Sequence, residues 1–182
     1  MQDIEKKGFS YGHEIPLKRT RPVVPFLLNA GTILEVKRAS PSKGDIAPNL
    51  DSVATAKSYI EAGTSAISVL TEENYFKGSL EDLKKVADLA DSMGNKVAVL
   101  RKDFLLDAEE IEIAYRCGAD AVLLIARILE TPKLLVMAEK AFSLGISVLL
   151  ELRDEEAVEK AVEVLKLAEK MNAQKQIVLG VN

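Results

Sequence analysis

The sequence predicts an α/β protein, a (βα)8 (TIM) barrel that is incomplete here with six parallel strands, and three observations support this fold class. A unit made of a helix-closing glycine, a short aliphatic run, a polar loop and an amphipathic helix recurs every 24 to 31 residues, the length of a βα unit. The aliphatic runs are apolar on both faces, as in parallel sheets covered by helices. Each run also ends near a polar side chain, which is typical of the carboxyl-terminal face of a barrel.

Residues 1–30 are predicted to form an N-terminal arm, and residues 31–182 to form the barrel domain. The arm contains the only histidine, His13, and several prolines, and it shows no sustained hydrophobic period. We expect the segment Arg19–Pro22 to pack over the domain. Its basic residues are within reach of a phosphate in some arrangements, but a solvated arm is the favoured interpretation.

The recurring unit places six strands along the rest of the chain. The predicted strands are Thr32–Lys37, Ala66–Leu70, Lys96–Arg101, Ala121–Ile125, Ser147–Glu151 and Ile177–Val181. Capping signals mark the start of three of the intervening helices. These signals are Ser79 with Asp82, Asp107 with Glu110, and Thr131 followed by Pro132. The helix after the fifth strand is predicted to have one apolar face made of Val158, Ala161, Val162, Leu165 and Ala168.

The composition limits the chemistry. With 182 residues, 48% of them hydrophobic, and a net charge of −4, the chain is long enough for one domain with a sizeable core, and its charge argues against nucleic-acid binding. The apolar runs are short and interrupted by charges, so we expect no membrane span and a cytoplasmic protein. The single cysteine, Cys117, is expected to be a core residue. No cluster of histidine and cysteine residues offers a transition-metal site, so acid–base catalysis falls to Lys, Glu and Asp.

Polar side chains stand at the ends of all six predicted strands. They are Lys37, Ser68 with Thr71 and Glu72, Lys102 with Asp103, Arg127, Glu151 and Asn182. Six such strand ends fit a barrel face better than the single crevice of an open sheet, where only two or three strand ends meet the ligand. The stretch Glu35–Gly44 places charged side chains at the end of the first strand, where burying them is costly unless they have a functional role. We therefore expect this stretch to form half of an active-site floor.

Several motifs occur in order between Thr32 and the last residue. They are Glu35-Val-Lys-Arg-Ala-Ser-Pro-Ser-Lys-Gly44, Ser68-Val-Leu-Thr-Glu-Glu-Asn-Tyr-Phe-Lys-Gly78, Arg101-Lys-Asp-Phe104, Gly118-Ala-Asp-Ala-Val-Leu-Leu-Ile-Ala-Arg127, Leu150-Glu-Leu152 and Gly180-Val-Asn182. Together they resemble the indole-3-glycerol phosphate synthase family. The resemblance implies a barrel that closes the indole ring in tryptophan biosynthesis. The activity implied is that of a carboxy-lyase, whose substrate, 1-(o-carboxyphenylamino)-1-deoxyribulose 5-phosphate, loses carbon dioxide and water.

The resemblance also implies site residues. Lys102 matches the general acid that protonates the substrate carbonyl, and Glu151 matches a carboxylate involved in proton transfer during dehydration. Lys37 matches a lysine that holds the substrate's anionic groups, and Glu35, on the same strand face, is expected to orient the lysines by charge pairing. Polar substrate contacts are expected at Arg38, Ser40, Ser68 and Asn182, and an apolar wall at Phe76, Phe104 and Leu123. This chemistry needs no metal or cofactor, and the expected partner is a small phosphorylated molecule, not a nucleic acid or a membrane.

The chain departs from the family in one respect. The family's barrel has two further strands, whereas this chain stops at Asn182, at the tip of the sixth. The phosphate-binding loops expected after strands seven and eight have no counterpart here. We therefore expect a part of a longer or bifunctional protein, with little or no turnover alone.

Two other functions fit the same residues. A class I aldolase-type lyase also uses a strand-end lysine, which forms a Schiff base with a sugar phosphate. A non-catalytic barrel fragment would assemble with a missing piece, or with a second copy, through its exposed sheet edges.

Overall fold

A curled sheet of six parallel strands gives the chain the architecture of an incomplete (βα)8 barrel. The computed structural model describes residues 8–94 and 96–182, so residues 1–7 of the predicted arm lie outside the described residues. The strands are β1 (Ile33–Val36), β2 (Ala39–Ser40), β3 (Gly44–Asp45), β4 (Ala66–Leu70), β5 (Ala98–Lys102), β6 (Ala121–Ile125), β7 (Ser147–Leu152) and β8 (Ile177–Val181). The helices are α1 (Ser52–Glu61), α2 (Leu80–Ser92), α3 (Ala108–Arg116), α4 (Thr131–Ser143) and α5 (Glu155–Lys170). The sheet order is β1–β4–β5–β6–β7–β8.

The six predicted strands are confirmed. The third strand begins and ends later than predicted, so that Lys102 is its last residue. The antiparallel ribbon of β2 and β3 was not predicted, because its two-residue strands lie within a Ser-Pro-Ser-Lys-Gly stretch that reads as a loop. Two of the three predicted caps are present: Ser79 accepts a hydrogen bond from the backbone of Asp82, and Asp107 forms a capping box with Glu110. The third is wrong, because α4 begins at Thr131 itself, with Glu130 at the N-cap position and no side-chain cap.

Alternation along the strands divides the apolar residues between two layers. Ile67 and Val69 of β4 belong to the larger core between the sheet and the helices, which also buries Cys117, as predicted. Ala66 faces the opposite way, into a smaller cluster that contains Val24 and Phe26 of the arm. The arm therefore fills the inner face of the sheet at the amino ends of its strands. Within the described parts of the chain, no helix is long and apolar enough to cross a membrane.

The favoured interpretation of a solvated arm is wrong for the segment around Arg21. Asp120, which is 0% exposed, lies just before β6 and binds the side chains of Arg19 and Arg21 at 2.6 and 2.8 Å. The same carboxylate accepts the backbone N–H groups of Val24 and Val99, each at 2.9 Å. These basic residues thus fasten the arm at the amino ends of the strands, the end opposite Lys102, and do not meet a phosphate there.

The apolar face predicted for α5 is partly wrong. Ala161 and Ala168 are buried, as expected, but Val158, Val162 and Leu165 are among the exposed hydrophobic residues. The buried side of the helix is made largely of alanines and of Val164, because small side chains let the helix lie close to the sheet. The larger aliphatic residues form a separate exposed stripe on α5.

Candidate active site

A carboxylate held between two lysines lies at the carboxyl end of the sheet. The Nζ atom of Lys102, at the end of β5, lies 2.8 Å from Oε2 of Glu35 on β1. The Nζ atom of Lys37, just after β1, lies 2.5 Å from Oε1 of the same residue. The pairing spans β4, on which Ser68 is the register partner of Glu35 and Leu70 that of Lys102. The parallel register therefore brings three charged side chains together, although Glu35 and Lys102 lie 67 residues apart in the chain.

The environment of Glu35 favours its charged form. Burial alone raises the pKa of this carboxyl, but the hydrogen bonds from Lys102 and Lys37 outweigh burial and leave the pKa below its usual value. At neutral pH Glu35 is therefore an ionised carboxylate, with a lysine Nζ atom against each of its oxygens. Such an arrangement fixes the direction of both lysine side chains.

A cavity of about 180 Å³ opens beside Lys102. Its lining residues are Leu70, Glu72, Phe76, Lys102, Asp103, Phe104, Leu123, Ile125, Glu151 and Asn182. Six of them were predicted as site residues from the sequence. Apolar walls with a few converging charged groups are typical of small-molecule sites. A larger cavity of about 500 Å³ lies between the arm and the outer side of α2, but no group of predicted site residues converges on it.

Two phenylalanine rings form one wall of this cavity. The ring centroids of Phe76 and Phe104 are 6.2 Å apart, with their planes inclined by 52°. Phe104 is 47% exposed, so this side of the wall is accessible to a ligand. The tilted pair offers a flat apolar group an edge and a face, the geometry that aromatic contacts prefer.

Glu151 supplies a second carboxylate at the cavity. It lies near the end of β7, in register with Ile125 of β6 and Gly180 of β8. Within the described residues its side chain has no hydrogen bond or ion pair, in contrast to Glu35. An unengaged carboxylate at the wall of a pocket is suited to accept or give a proton.

Three predicted substrate contacts do not line the cavity. Arg38 lies in a bend after the end of β1 and holds both carboxylate oxygens of Asp82 at 2.7 and 2.9 Å. Ser68 is buried one layer deeper than Leu70, and its hydroxyl has no partner within the described residues. Ser40 belongs to the β2–β3 ribbon, where its hydroxyl accepts the N–H of Lys43 at 3.3 Å.

A buried ionic network next to Lys102 was missed by the sequence reasoning. Arg101 is 0% exposed and donates to Thr71, to Asp103 and to the backbone oxygen of Glu110, at 3.0 to 3.1 Å. Asp103 also accepts the hydroxyl of Thr71. The network joins the ends of β4 and β5 to the start of α3, and it fixes the backbone on both sides of Lys102. The available signal was an arginine directly after the apolar run Val97–Leu100, where a buried side chain requires polar partners.

The bridge from Glu35 to the two lysines is expected to stabilise the fold at neutral pH and to lose this effect in acid. Because the folded-state pKa of Glu35 is lowered, the unfolded chain takes up the proton first, and the contribution is complete only above the usual carboxyl pKa of 4.5. Urea unfolding of the unaltered chain and of Glu35→Gln, from about pH 7 to about pH 3, measures this effect. The difference in unfolding free energy should shrink as the pH falls, and a constant difference would contradict the assignment. Glu151→Gln is the matched control.

The family model described as indole-3-glycerol phosphate synthase matches residues 26–173. The indole-3-glycerol phosphate synthase of Geobacillus kaustophilus (strain HTA426) is 43% identical over 150 residues, which are 80% of this chain and 56% of that protein. That of Exiguobacterium sibiricum is 45% identical over 82% of this chain and 52% of that protein. The chain spans about half the length of these curated relatives.

Solved structures share the fold at low sequence identity. A dihydropteroate synthase from Xanthomonas albilineans matches with a TM-score of 0.59 and 14% identity, over 87% of this chain and 64% of that chain. A 3-hexulose-6-phosphate synthase matches with a TM-score of 0.54 and 15% identity, over 83% and 66% of the two chains. At these identities the likeness concerns the fold alone.

Proposed function

The chain belongs to the indole-3-glycerol phosphate synthase family, and from this premise we propose that its strand-end lysines and glutamates serve the ring closure of 1-(o-carboxyphenylamino)-1-deoxyribulose 5-phosphate in tryptophan biosynthesis. The observation that carries the proposal is the ion-paired group of Lys37, Glu35 and Lys102 beside an apolar cavity that Glu151 also lines. We place this activity in the cytoplasm.

In the first step the aromatic ring carbon that bears the carboxylate attacks the substrate's carbonyl carbon. The carbonyl oxygen gains negative charge as the new carbon–carbon bond forms, and Lys102 donates a proton to it. The bond to the carboxylate carbon then breaks, carbon dioxide leaves, and its electron pair returns to the ring. Glu35 holds the ammonium group of Lys102 in place, 2.8 Å away, for this transfer.

In the second step the new hydroxyl group leaves as water and a proton is removed from the ring system. Glu151 is the carboxylate for this proton transfer, because it lines the cavity and its oxygens are not committed elsewhere among the described residues. Lys37 holds the substrate's anionic groups at the other side of Glu35 and supplies acid to the leaving hydroxyl. Phe76, Phe104 and Leu123 form the wall against the anthranilate ring, and Asn182 is a polar contact at the rim.

We further propose that additional βα units cover the open side of this barrel. Leu179 and Val181 of β8 are 45% and 91% exposed. The stripe of Val158, Val162 and Leu165 on α5, the helix that precedes β8 in the chain, is also exposed. Apolar surface and unpaired strand edges of this kind favour association with another segment, on the same chain or on a second one.

Formation of indole-3-glycerol phosphate, followed by its fluorescence, tests the proposed function. We expect little or no turnover from the 182-residue chain, and turnover from a version extended by the last two βα units of the Geobacillus kaustophilus relative. Turnover by the 182-residue chain alone would contradict the need for these units, and no turnover by either version would contradict the function.

Borohydride reduction in the presence of substrate separates this chemistry from that of a Schiff-base sugar-phosphate lyase. We expect no trapped adduct, because an ion-paired ammonium lacks the free electron pair that attacks a carbonyl. An adduct on Lys102 or Lys37, identified by mass spectrometry, would support the lyase.

A further inference from the structure

The loop between β4 and α2, residues 72–79, is folded around the side chain of its first residue. Oε1 of Glu72 accepts the backbone N–H of Asn74 at 2.9 Å. Oε2 accepts those of Tyr75 and Phe76 at 2.7 and 3.0 Å, and the backbone oxygen of Glu72 accepts that of Gly78 at 2.9 Å. Consecutive N–H groups that converge in this way form a nest for an anion. Here the anion is the chain's own carboxylate. We call residues 72–79 the Phe76 loop.

The backbone of the Phe76 loop has a conformation that needs such support. Lys77 has a φ of +57°, in the left-handed region that is unfavourable for residues with a side chain. Gly78 approaches β4 so closely that a Cβ atom would lie 2.0 Å from the backbone oxygen of Leu70. Asn74 and Tyr75 at the tip are exposed and contribute little burial. The bonds from Glu72 therefore help to hold this ordered conformation.

The Phe76 loop carries one of the two aromatic rings of the candidate active site. Phe76 lines the cavity and packs against Phe104, and its backbone oxygen accepts the N–H of Ala39, in the segment that follows Lys37. Arg38 donates to the backbone oxygen of Lys77 at 3.0 Å. The loop thus joins the aromatic wall to the segment after β1.

We propose that Glu72 is a positioning residue, whose carboxylate holds Phe76 at the cavity wall and thereby sets the affinity for a substrate with an aromatic ring. The choice of an aromatic substrate rests on the proposed function. Glu72 itself also lines the cavity, but both of its oxygens are occupied by the backbone of the loop. Its effect on the substrate is therefore exerted through Phe76.

The test compares Glu72→Gln with Glu73→Gln in the 182-residue chain. The second variant removes the neighbouring carboxylate, which pairs with His13 at 2.7 Å and does not bind the loop backbone. In Glu72→Gln we expect the amides of Tyr75 and Phe76 to exchange with solvent at least about tenfold faster, since charge-assisted bonds are lost. Their amide proton shifts should move upfield in NMR spectra. The dissociation constant of 1-(o-carboxyphenylamino)-1-deoxyribulose 5-phosphate, measured by calorimetry, should rise about tenfold. Glu73→Gln should leave all three quantities unchanged.

Each result has a distinct meaning. Unchanged exchange at Tyr75 and Phe76 in Glu72→Gln would overturn the anchoring role, and faster exchange with unchanged substrate affinity would overturn the positioning role. If the unaltered chain does not bind the substrate, the effect of Glu72 on substrate affinity is overturned, while the exchange rates still decide whether Glu72 holds the loop and the fluorescence assay with the extended version still decides the proposed function.

Discussion

Replacing Lys102 by methionine is expected to lower the kcat of ring closure by about 100- to 10,000-fold, the usual contribution of a positioned general acid. Methionine keeps the length and apolar stem of the side chain but has no proton to donate to the carbonyl oxygen. The fold should survive the change, because the Lys102 side chain is 38% exposed and Glu35 keeps its bond to Lys37. The loss should therefore appear in kcat, with a smaller effect on KM.

The measurement is the fluorescence assay with the version extended by two βα units. Lys84→Met is the matched control, because this lysine pairs with Asp88 on the exposed side of α2, away from the 180 Å³ cavity. Its kcat should equal that of the unaltered enzyme. A Lys102→Met enzyme that retained kcat within about threefold would remove Lys102 from the proposed mechanism.

The fold was predictable from the sequence because its signals are local. The strand β4 (Ala-Ile-Ser-Val-Leu) begins three residues after Gly63, which follows α1, and β6 begins three residues after Gly118, which follows α3. Helix caps such as Asp107 act within four residues of themselves. A parallel sheet built from successive βα units then leaves few choices of strand order.

The contacts of the arm were not predictable in this way. Arg19 and Arg21 stand beside prolines in a segment without periodicity, and such a basic stretch is usually solvated. Their partner, Asp120, is about 100 residues away in sequence and itself precedes an apolar strand. Nothing local to either segment indicates the pairing, which depends on how the arm crosses the amino ends of the strands.

The site was predicted best where the alternation of a strand settles the direction of a side chain. Lys102 and Glu151 were placed at strand ends, and both line the cavity. Arg38 and Ser68 do not line the cavity, because Arg38 lies after the end of β1 and pairs with Asp82, and Ser68 lies two residues before Leu70 on the same face of β4. Glu72 was missed as an anchor because its role depends on the turn of residues 72–79 and not on the strand.

Replacing Asp120 by asparagine is expected to lower the free energy of unfolding by about 3–5 kcal/mol, the cost of breaking a buried ion pair by removing one partner. The carboxylate is 0% exposed, and each arginine side chain paired with it is 3% exposed, so neither cation can turn to water without moving the arm. The asparagine side chain keeps one acceptor oxygen, but its NH2 group faces N–H donors that the second carboxylate oxygen accepted in the unaltered chain. Urea unfolding should show a lower midpoint with an unchanged slope.

The two arginines differ in how much they depend on Asp120, and replacing Arg21 gives a second measurement. Arg19 also donates to the backbone oxygens of Arg21, Pro22, Tyr115 and Ala119. Arg21 has one other acceptor, Gly118, and its Nε atom has no partner within the described residues. Removing the cation in Arg21→Met leaves Asp120 bound to Arg19, so this variant should lose less stability than Asp120→Asn.

Asp88→Asn is the matched control for the same chemical change at the surface, where its pair with Lys84 is worth less than about 1 kcal/mol. If Asp120→Asn lost no more stability than Asp88→Asn, the buried network would not be what fastens the arm. The apolar contacts of Val24 and Phe26 with the inner face of the sheet would then have to hold it. A larger loss for Arg21→Met than for Asp120→Asn would instead place the main contribution in the packing of the arginine stem, and not in its charge.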